Sequence, residues 1–201
     1  MKKSYVILII IGCFALLFLI GFGYYNRNYN KIVTLEETVS QQWSNVESVY
    51  QRRLDLIPNL VNTVKGYADF EKQTLTQVIE ARAKATSVNI DASKLNAASF
   101  QQFQQAQGEL SSSLSRLMVV VEKYPDLKTT NSFVRLQDQL TGTERRIKFS
   151  RKDFNEAVMG YNKSVRSFPA NIVAKLFGFN VKEGFEADMG ADKAPEINFN
   201  K

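Results

Sequence analysis

A run of nineteen uncharged residues, Tyr5 to Gly23 (YVILIIIGCFALLFLIGFG), constrains this chain more than anything else in it. As a helix it would span about 28 Å at ~1.5 Å per residue, close to the ~30 Å hydrocarbon thickness of a bilayer. Tyr24 and Tyr25 follow, where interfacial aromatic rings belong. Lys2, Lys3 and the terminal amine precede the run. Arg27 and Lys31 come after it and are soon offset by Glu36 and Glu37. This bias predicts a single-pass signal-anchor, with the N-terminus cytoplasmic and the C-terminal body extracytoplasmic. The membrane lipid bilayer is thus the first expected partner, contacted through residues 5–23.

Two other readings compete with a retained anchor. Gly21 and Gly23 have the small-residue spacing of a signal-peptide cleavage site, but the run exceeds the ~7–15 residues of an ordinary h-region. Ile10-Ile11-Gly12-Cys13 resembles a lipobox, yet Phe14 to Phe22 continue the apolar run where a lipoprotein turns polar. Cys13 fits better as a small apolar residue within the membrane helix.

Composition then removes whole classes of chemistry. There is no histidine, which excludes Ser-His-Asp and Cys-His catalysis, HExxH zinc sites and Glu-x-x-His di-iron sites. One cysteine cannot form an internal disulfide or a CxxC pair. Four prolines and ten glycines are too few for a turn-rich β-sandwich. No catalytic residue, metal ligand or cofactor is assigned, and the composition argues against an enzyme.

The body is helical by periodicity. Val39, Trp43, Val46, Tyr50, Leu54, Ile57, Val61, Val64, Ala68, Glu71, Leu75, Val78 and Arg82 advance by 3.58 residues per step, the helical repeat. Flanking positions are largely polar: Gln41, Gln42, Glu47, Arg52, Arg53, Asn62, Lys65 and Lys72. Pro58 lies inside the series, removes a donor and crowds the Leu54 carbonyl. Because the stripe keeps its phase there, one long kinked helix is expected rather than a reversal at Pro58. After a loop near 87–98, Ser99 and Gln102 have capping-box spacing. Phe100, Phe103, Leu110, Leu114, Leu117, Val121 and Tyr124 then form a second apolar face, ended by Pro125. A third stripe runs from Phe133 through Leu136, Leu140, Glu144, Ile147, Arg151, Phe154, Val158, Tyr161 and Val165 to Phe168, with a 3.5-residue repeat. Pro169 breaks it, and a short piece from Ile172 to Phe177 ends at Gly178. The expected fold is all-α: an N-terminal transmembrane helix (1–29 with its juxtamembrane segment), an extended antiparallel bundle of three long helices plus a shorter fourth (30–179), and a flexible tail (180–201).

Charges interrupt two of the stripes. Glu71, Arg82, Glu144 and Arg151 suggest a paired interior network that fixes helix register, since a buried charge must be paired. Outward rotation of the stripes and a carboxylate-lined cavity are the alternatives. Arg145, Arg146, Lys148 and Lys152 form a basic patch, read as a solvated face in preference to a docking site for anionic lipid or an acidic partner. Ile172, Val173, Leu176, Phe177 and Phe179 are expected to cap the bundle rather than to enter a bilayer interface. Nucleic acid is not an expected partner, because no aromatic platform interleaves with the basic residues.

Several ordered motifs resemble the LemA family of bacterial membrane proteins, over essentially residues 1–180. They are Trp43, Tyr50-Gln51-Arg52-Arg53, Asp55-Leu56-Ile57-Pro58-Asn59-Leu60, Lys65-Gly66-Tyr67 with Glu71, and Glu80-Ala81-Arg82-Ala83. Glu122-Lys123-Tyr124-Pro125-Asp126-Leu127 and Leu136-Gln137-Asp138-Gln139-Leu140 with Glu144 follow. Arg151 with Phe154-Asn155, Tyr161-Asn162 and Phe168-Pro169 complete the set; the family commonly has Tyr-Asn where this chain has Phe154-Asn155. The resemblance implies a single-pass anchor in a bacterial cell (inner) membrane, a bundle of long antiparallel helices and no known catalysis. It also implies an accessory or scaffold protein, with a membrane or exported protein partner such as a membrane protease. The reading from another class is a ligand- or metal-binding sensor that uses the interior carboxylates.

Overall fold

The computed structural model describes residues 2–66, 71–88, 90 and 97–186, the side chains of 2–4, 6, 7 and 9 excepted. Six helices follow one another: α1 (Lys2–Lys65), α2 (Lys72–Ser87), α3 (Ala97–Val121), α4 (Pro125–Lys128), α5 (Asn131–Arg166) and α6 (Ala170–Phe177). No strand occurs among the described residues. The all-α expectation holds.

α1 is a single helix of 64 residues, about 96 Å long at ~1.5 Å per residue. Its first part projects apolar side chains outward, with Phe14 and Phe18 more than two-thirds exposed. Among the described residues it is the one helix long and apolar enough to cross a membrane. From Ile32 the apolar stripe turns inward, and Ile32, Val39, Trp43, Val46, Tyr50, Leu54, Ile57, Val61 and Val64 are all buried. One helix therefore carries both the membrane-length run and the central packing surface, with no linker between them.

α5 packs antiparallel along α1. Arg53 faces Glu144, and a Cβ on Gly160 would stand 4.0 Å from Leu35 Cδ2. α2 folds back on α1, and α3 runs antiparallel to α2, with Lys84 pairing with Glu109 at 3.0 Å. α5 buries Phe133, Leu140, Ile147, Phe154, Val158, Tyr161 and Val165, as its stripe predicts. Tyr124 has a non-helical backbone (φ −123°, ψ 76°), in keeping with the bias before proline, and Pro125 opens the one-turn helix α4. Gly178 caps α6 with a left-handed φ of 76°.

The first long stripe is a correction. The helix does continue through Pro58, but it ends at Lys65 and Gly66 and does not reach Arg82. Leu75, Val78 and Arg82 belong to α2, which returns along α1. Each antiparallel partner has its own 3.6-residue stripe, so a reversal that keeps phase is invisible to periodicity. Ala68 lies outside the described residues.

Arg82 and Pro58 explain how the return is fastened. Proline lacks the N–H that would bond the Leu54 carbonyl in the next turn. Arg82 Nε on α2 donates to that Leu54 oxygen at 3.0 Å. A side chain from the neighbouring helix thus supplies a donor where the helix loses its own, and the α1/α2 register is tied to it.

The C-terminal segment is ordered further than expected. Residues 180–186 are extended and held against α5, while 187–201 lie outside the described residues. Asn155 Nδ2 donates to Phe185 O at 2.9 Å and its Oδ1 accepts from Phe185 N at 2.7 Å. Asn162, two turns on, makes the same pair with Lys182, at 2.8 and 2.9 Å. Each side-chain amide imitates a strand neighbour. A Cβ on Gly184 would stand 2.9 Å from Asn155 Oδ1, so a side chain there would push the clamping amide aside.

Arg82→Leu removes a donor to the Leu54 carbonyl and should destabilise the chain by about 1–2 kcal/mol in urea unfolding of detergent-solubilised protein. In a Pro58→Ala background, residue 58 supplies that N–H and the same change should cost less than half as much. Equal costs in both backgrounds would show that the two residues are uncoupled. Asn155→Ala should cost about 1–3 kcal/mol and expose the 180–186 segment to protease, with Asn162→Ala acting in the same direction.

Candidate functional site

The apolar core is divided into two clusters. One holds Leu54, Ile57, Leu60, Leu110, Leu114, Phe133 and Leu140; the other holds Trp43, Tyr50, Phe103, Ile147, Phe154 and Tyr161. Between them lies a polar layer made by Arg53 on α1, Gln107 and Ser111 on α3, and Glu144 on α5.

Arg53 is the centre of that layer and is 1% exposed. Its Nη1 donates to Ser111 Oγ at 2.9 Å and to Glu144 Oε1 at 3.0 Å. Its Nη2 donates to the Gln107 side-chain oxygen, and the guanidinium lies 5.0 Å from the Tyr50 ring centroid. The planar guanidinium can bond several partners in fixed directions while stacking on an aromatic face, which an ammonium cannot do. Its Nε is buried without a hydrogen-bond partner, so the layer is not fully satisfied. The Glu144 side chain is 48% exposed and opens to a cleft of about 700 Å³. Arg116, Arg151, Gln104, Ser115 and Phe185 also line this cleft.

The four expected network members do not come together. Glu144 is in the layer, but its partner is Arg53. Arg82 bonds the Leu54 carbonyl on the other side of α1. Arg151 donates from Nη2 to Glu186 O at 3.0 Å and stacks 4.7 Å from the Phe185 ring centroid, holding the C-terminal segment. Glu71 is exposed before the first turn of α2, about 18 Å along the bundle from the layer at ~1.5 Å per residue. Neither carboxylate is interior. With Arg53, Arg116 and Arg151 against Glu144, the cleft chemistry suits an anion rather than a metal ion. Arg145, Arg146, Lys148 and Lys152 are all exposed on α5, and Lys152 pairs with Glu156 at 3.5 Å.

Sequence reasoning missed Arg53, which was grouped with the polar flank. It lies one position before the stripe residue Leu54. α1 is enclosed by α2, α3 and α5, so its buried arc is wider than one stripe: Arg53, Leu56 and Leu60 are buried as well. The usable signal was Tyr50, Arg53, Ile57 and Leu60, a second row at helical spacing.

An aromatic centre lies nearer the apolar N-terminal run. Trp43, fully buried, meets Phe100, Phe103, Phe154 and Phe185 with ring centroids 5.4 to 6.3 Å apart. Its Nε1 donates to Ile90 O at 3.4 Å. Phe185 comes from the clamped segment, so that segment completes the core. Below it Lys182 pairs with Glu36 at 2.9 Å and sits 5.3 Å from the Tyr161 ring centroid. Burial, with the Glu36 carboxylate as a second cause, pushes the Tyr161 phenol up to about 12 and keeps it neutral.

A membrane-length helix continuing into a bundle with a polar layer between its two apolar clusters defines an all-α protein with an apolar, membrane-length N-terminal helix. The chain belongs to the LemA family, whose family model matches residues 42–199. It is 28% identical over 182 residues to the magnetosome protein MamQ 2 of Paramagnetospirillum magneticum, covering 82% of this chain and 66% of that relative. The magnetosome protein MamQ of Magnetospirillum gryphiswaldense is 26% identical over 182 residues, with the same coverage. Protein LemA of Metamycoplasma hominis is 24% identical over 173 residues, covering 84% of this chain and 75% of the relative. The chain thus spans about two-thirds of the length of the MamQ relatives.

Glu144→Ala leaves the buried Arg53 without its counter-charge and should destabilise the bundle by about 1–3 kcal/mol. Glu144→Gln retains an acceptor and should cost less. Denaturant unfolding left unchanged by Glu144→Ala would remove the role assigned to this pair, and Gln as costly as Ala would assign the effect to the charge alone.

Proposed function

We propose that this protein is a non-enzymatic, single-pass membrane scaffold that holds a rigid helical body outside the cytoplasm for contact with a membrane or exported protein. The observation that carries this reading is the continuity of α1: the apolar run and the central core helix are one uninterrupted rod. Movement of the anchor and movement of the bundle are then the same movement. The charge bias around residues 5–23 supports a cytoplasmic N-terminus. The polar layer supports a structural role, because its groups bond one another across α1, α3 and α5. The MamQ relatives are named as magnetosome proteins, which is in keeping with work at a membrane.

Full-length protein should resist alkaline carbonate washing of membranes, and protease added to spheroplasts should degrade the body. Crosslinking in native membranes should then capture protein partners that are lost when residues 1–24 are deleted. Release by carbonate would overturn the anchor, and protection from external protease would reverse the topology. Capture unchanged by the deletion would refute anchor-dependent contact.

A further inference from the structure

α6 buries one side and leaves the other bare. Ala170, Val173 and Ala174 are buried against the bundle, so of the five residues expected to cap it only Val173 is buried and Phe179 half-buried. Ile172 and Leu176, one turn apart, are 60% and 71% exposed. Phe168, just before the helix, is 81% exposed, and Val181, just beyond its glycine cap, is also exposed. Four large apolar side chains around one eight-residue helix form a patch that water does not favour.

The place of this patch identifies what covers it. The Phe177 ring packs on Tyr25 and Tyr29, with centroids 5.5 and 4.8 Å apart, and Phe179 lies 5.7 Å from Tyr29. Tyr25 is only two residues past Gly23, the end of the apolar run, about 3 Å along the helix axis. The α1/α5 register, Arg53 opposite Glu144 and Leu35 beside Gly160, brings Arg166 back to the level of residues near 30. Both ends of α6 therefore lie within roughly 10 Å of the end of the run. Arg27, Lys31, Arg166 and Lys175 are exposed in this region, whereas Glu36 is paired with Lys182.

We propose that the Phe168, Ile172, Leu176 and Val181 face of α6 is a second membrane contact, lying in the interface of the bilayer that α1 crosses. Its apolar side chains enter the headgroup–acyl boundary, and Arg166 and Lys175 meet anionic lipid phosphates. The proposal rests on the anchor reading above. Its consequence is mechanical: one helix alone fixes a point, whereas a helix and a surface contact fix a direction. The bundle is then held at a set tilt to the membrane.

The test uses full-length protein with Cys13→Ser and single cysteines introduced as Ile172→Cys or Leu176→Cys. Each carries an environment-sensitive fluorophore. The protein is reconstituted into phosphatidylcholine–phosphatidylglycerol vesicles brominated on the upper acyl chain. Leu17→Cys within the run and Val134→Cys at the far end of α5 serve as references. Probes at 172 and 176 should be quenched at least about half as strongly as the probe at 17, with the probe at 134 unquenched. Omitting phosphatidylglycerol should weaken quenching at 172 and 176 roughly twofold. Quenching at 17 but not at 172 or 176 would overturn this proposal and leave the anchor intact. No quenching at 17 either would overturn both. Disulfide crosslinking of two copies through the unlabelled Leu176→Cys protein, without quenching there, would assign the face to a second copy instead.

Discussion

The guanidinium of Arg53 is held in the middle of an apolar core, and that constraint organises the bundle around it. A charge removed from water must find partners, and the partners must arrive at one level. Here they come from three helices: Gln107 and Ser111 on α3, Glu144 on α5 and the Tyr50 ring on α1. Sliding α3 or α5 by one turn would replace these groups with Phe103 or Leu110, or with Leu140 or Ile147, and strand the charge. Apolar packing on either side tolerates small shifts; this layer does not. We regard it as the register pin of the fold.

Three other polar attachments follow the same logic elsewhere on the bundle. Arg82 bonds the carbonyl that Pro58 leaves without its usual donor, tying α2 to α1. Asn155 and Asn162 bond the backbone of the C-terminal segment on both edges, tying it to α5. Arg151 closes the end of that segment through Glu186 O and the Phe185 ring. Each uses a side chain to complete a backbone that has no regular partner. Together they turn a set of long helices, which could pack in several registers, into one arrangement built on the helix that also carries the membrane-length run.

The resemblance motifs gain physical content from this. Tyr50, Arg53 and Glu144 meet in the polar layer, Pro58 and Arg82 in the α1/α2 tie, and Asn155 and Asn162 in the C-terminal clamp. None of these contacts brings a nucleophile and a base together, and a chain without histidine has few means of doing so. Chemistry-bearing residue types are present here as structural fasteners. This accords with a protein that acts through its shape and attachment.

Local physical rules were legible in the chain. An uncharged run of membrane length, stripes at 3.5 to 3.6 residues, a proline that breaks α3 from α5 and a glycine that caps α6 all follow from short-range geometry. What lay beyond reach was every feature that depends on a return of the chain. The reversal after Lys65 preserves the stripe's phase, so periodicity carried the first helix too far. Arg53 looked solvated because its burial depends on how many helices surround α1, not on its own position. Glu71, Arg82, Glu144 and Arg151 are spaced in the sequence as if on inward stripes, but Glu71 and Glu144 are exposed, Arg82 and Glu144 meet different atoms of α1 and Arg151 holds the C-terminal segment; only packing assigns height and side. The segment at 180–186 has no periodicity to read, since its order comes from two asparagines, twenty residues earlier in one pair and thirty in the other. Sequence determined which surfaces must be hidden, because hydrophobic spacing is local. Tertiary structure decided which polar groups meet, because pairing a buried charge or a free backbone edge requires partners from distant parts of the chain.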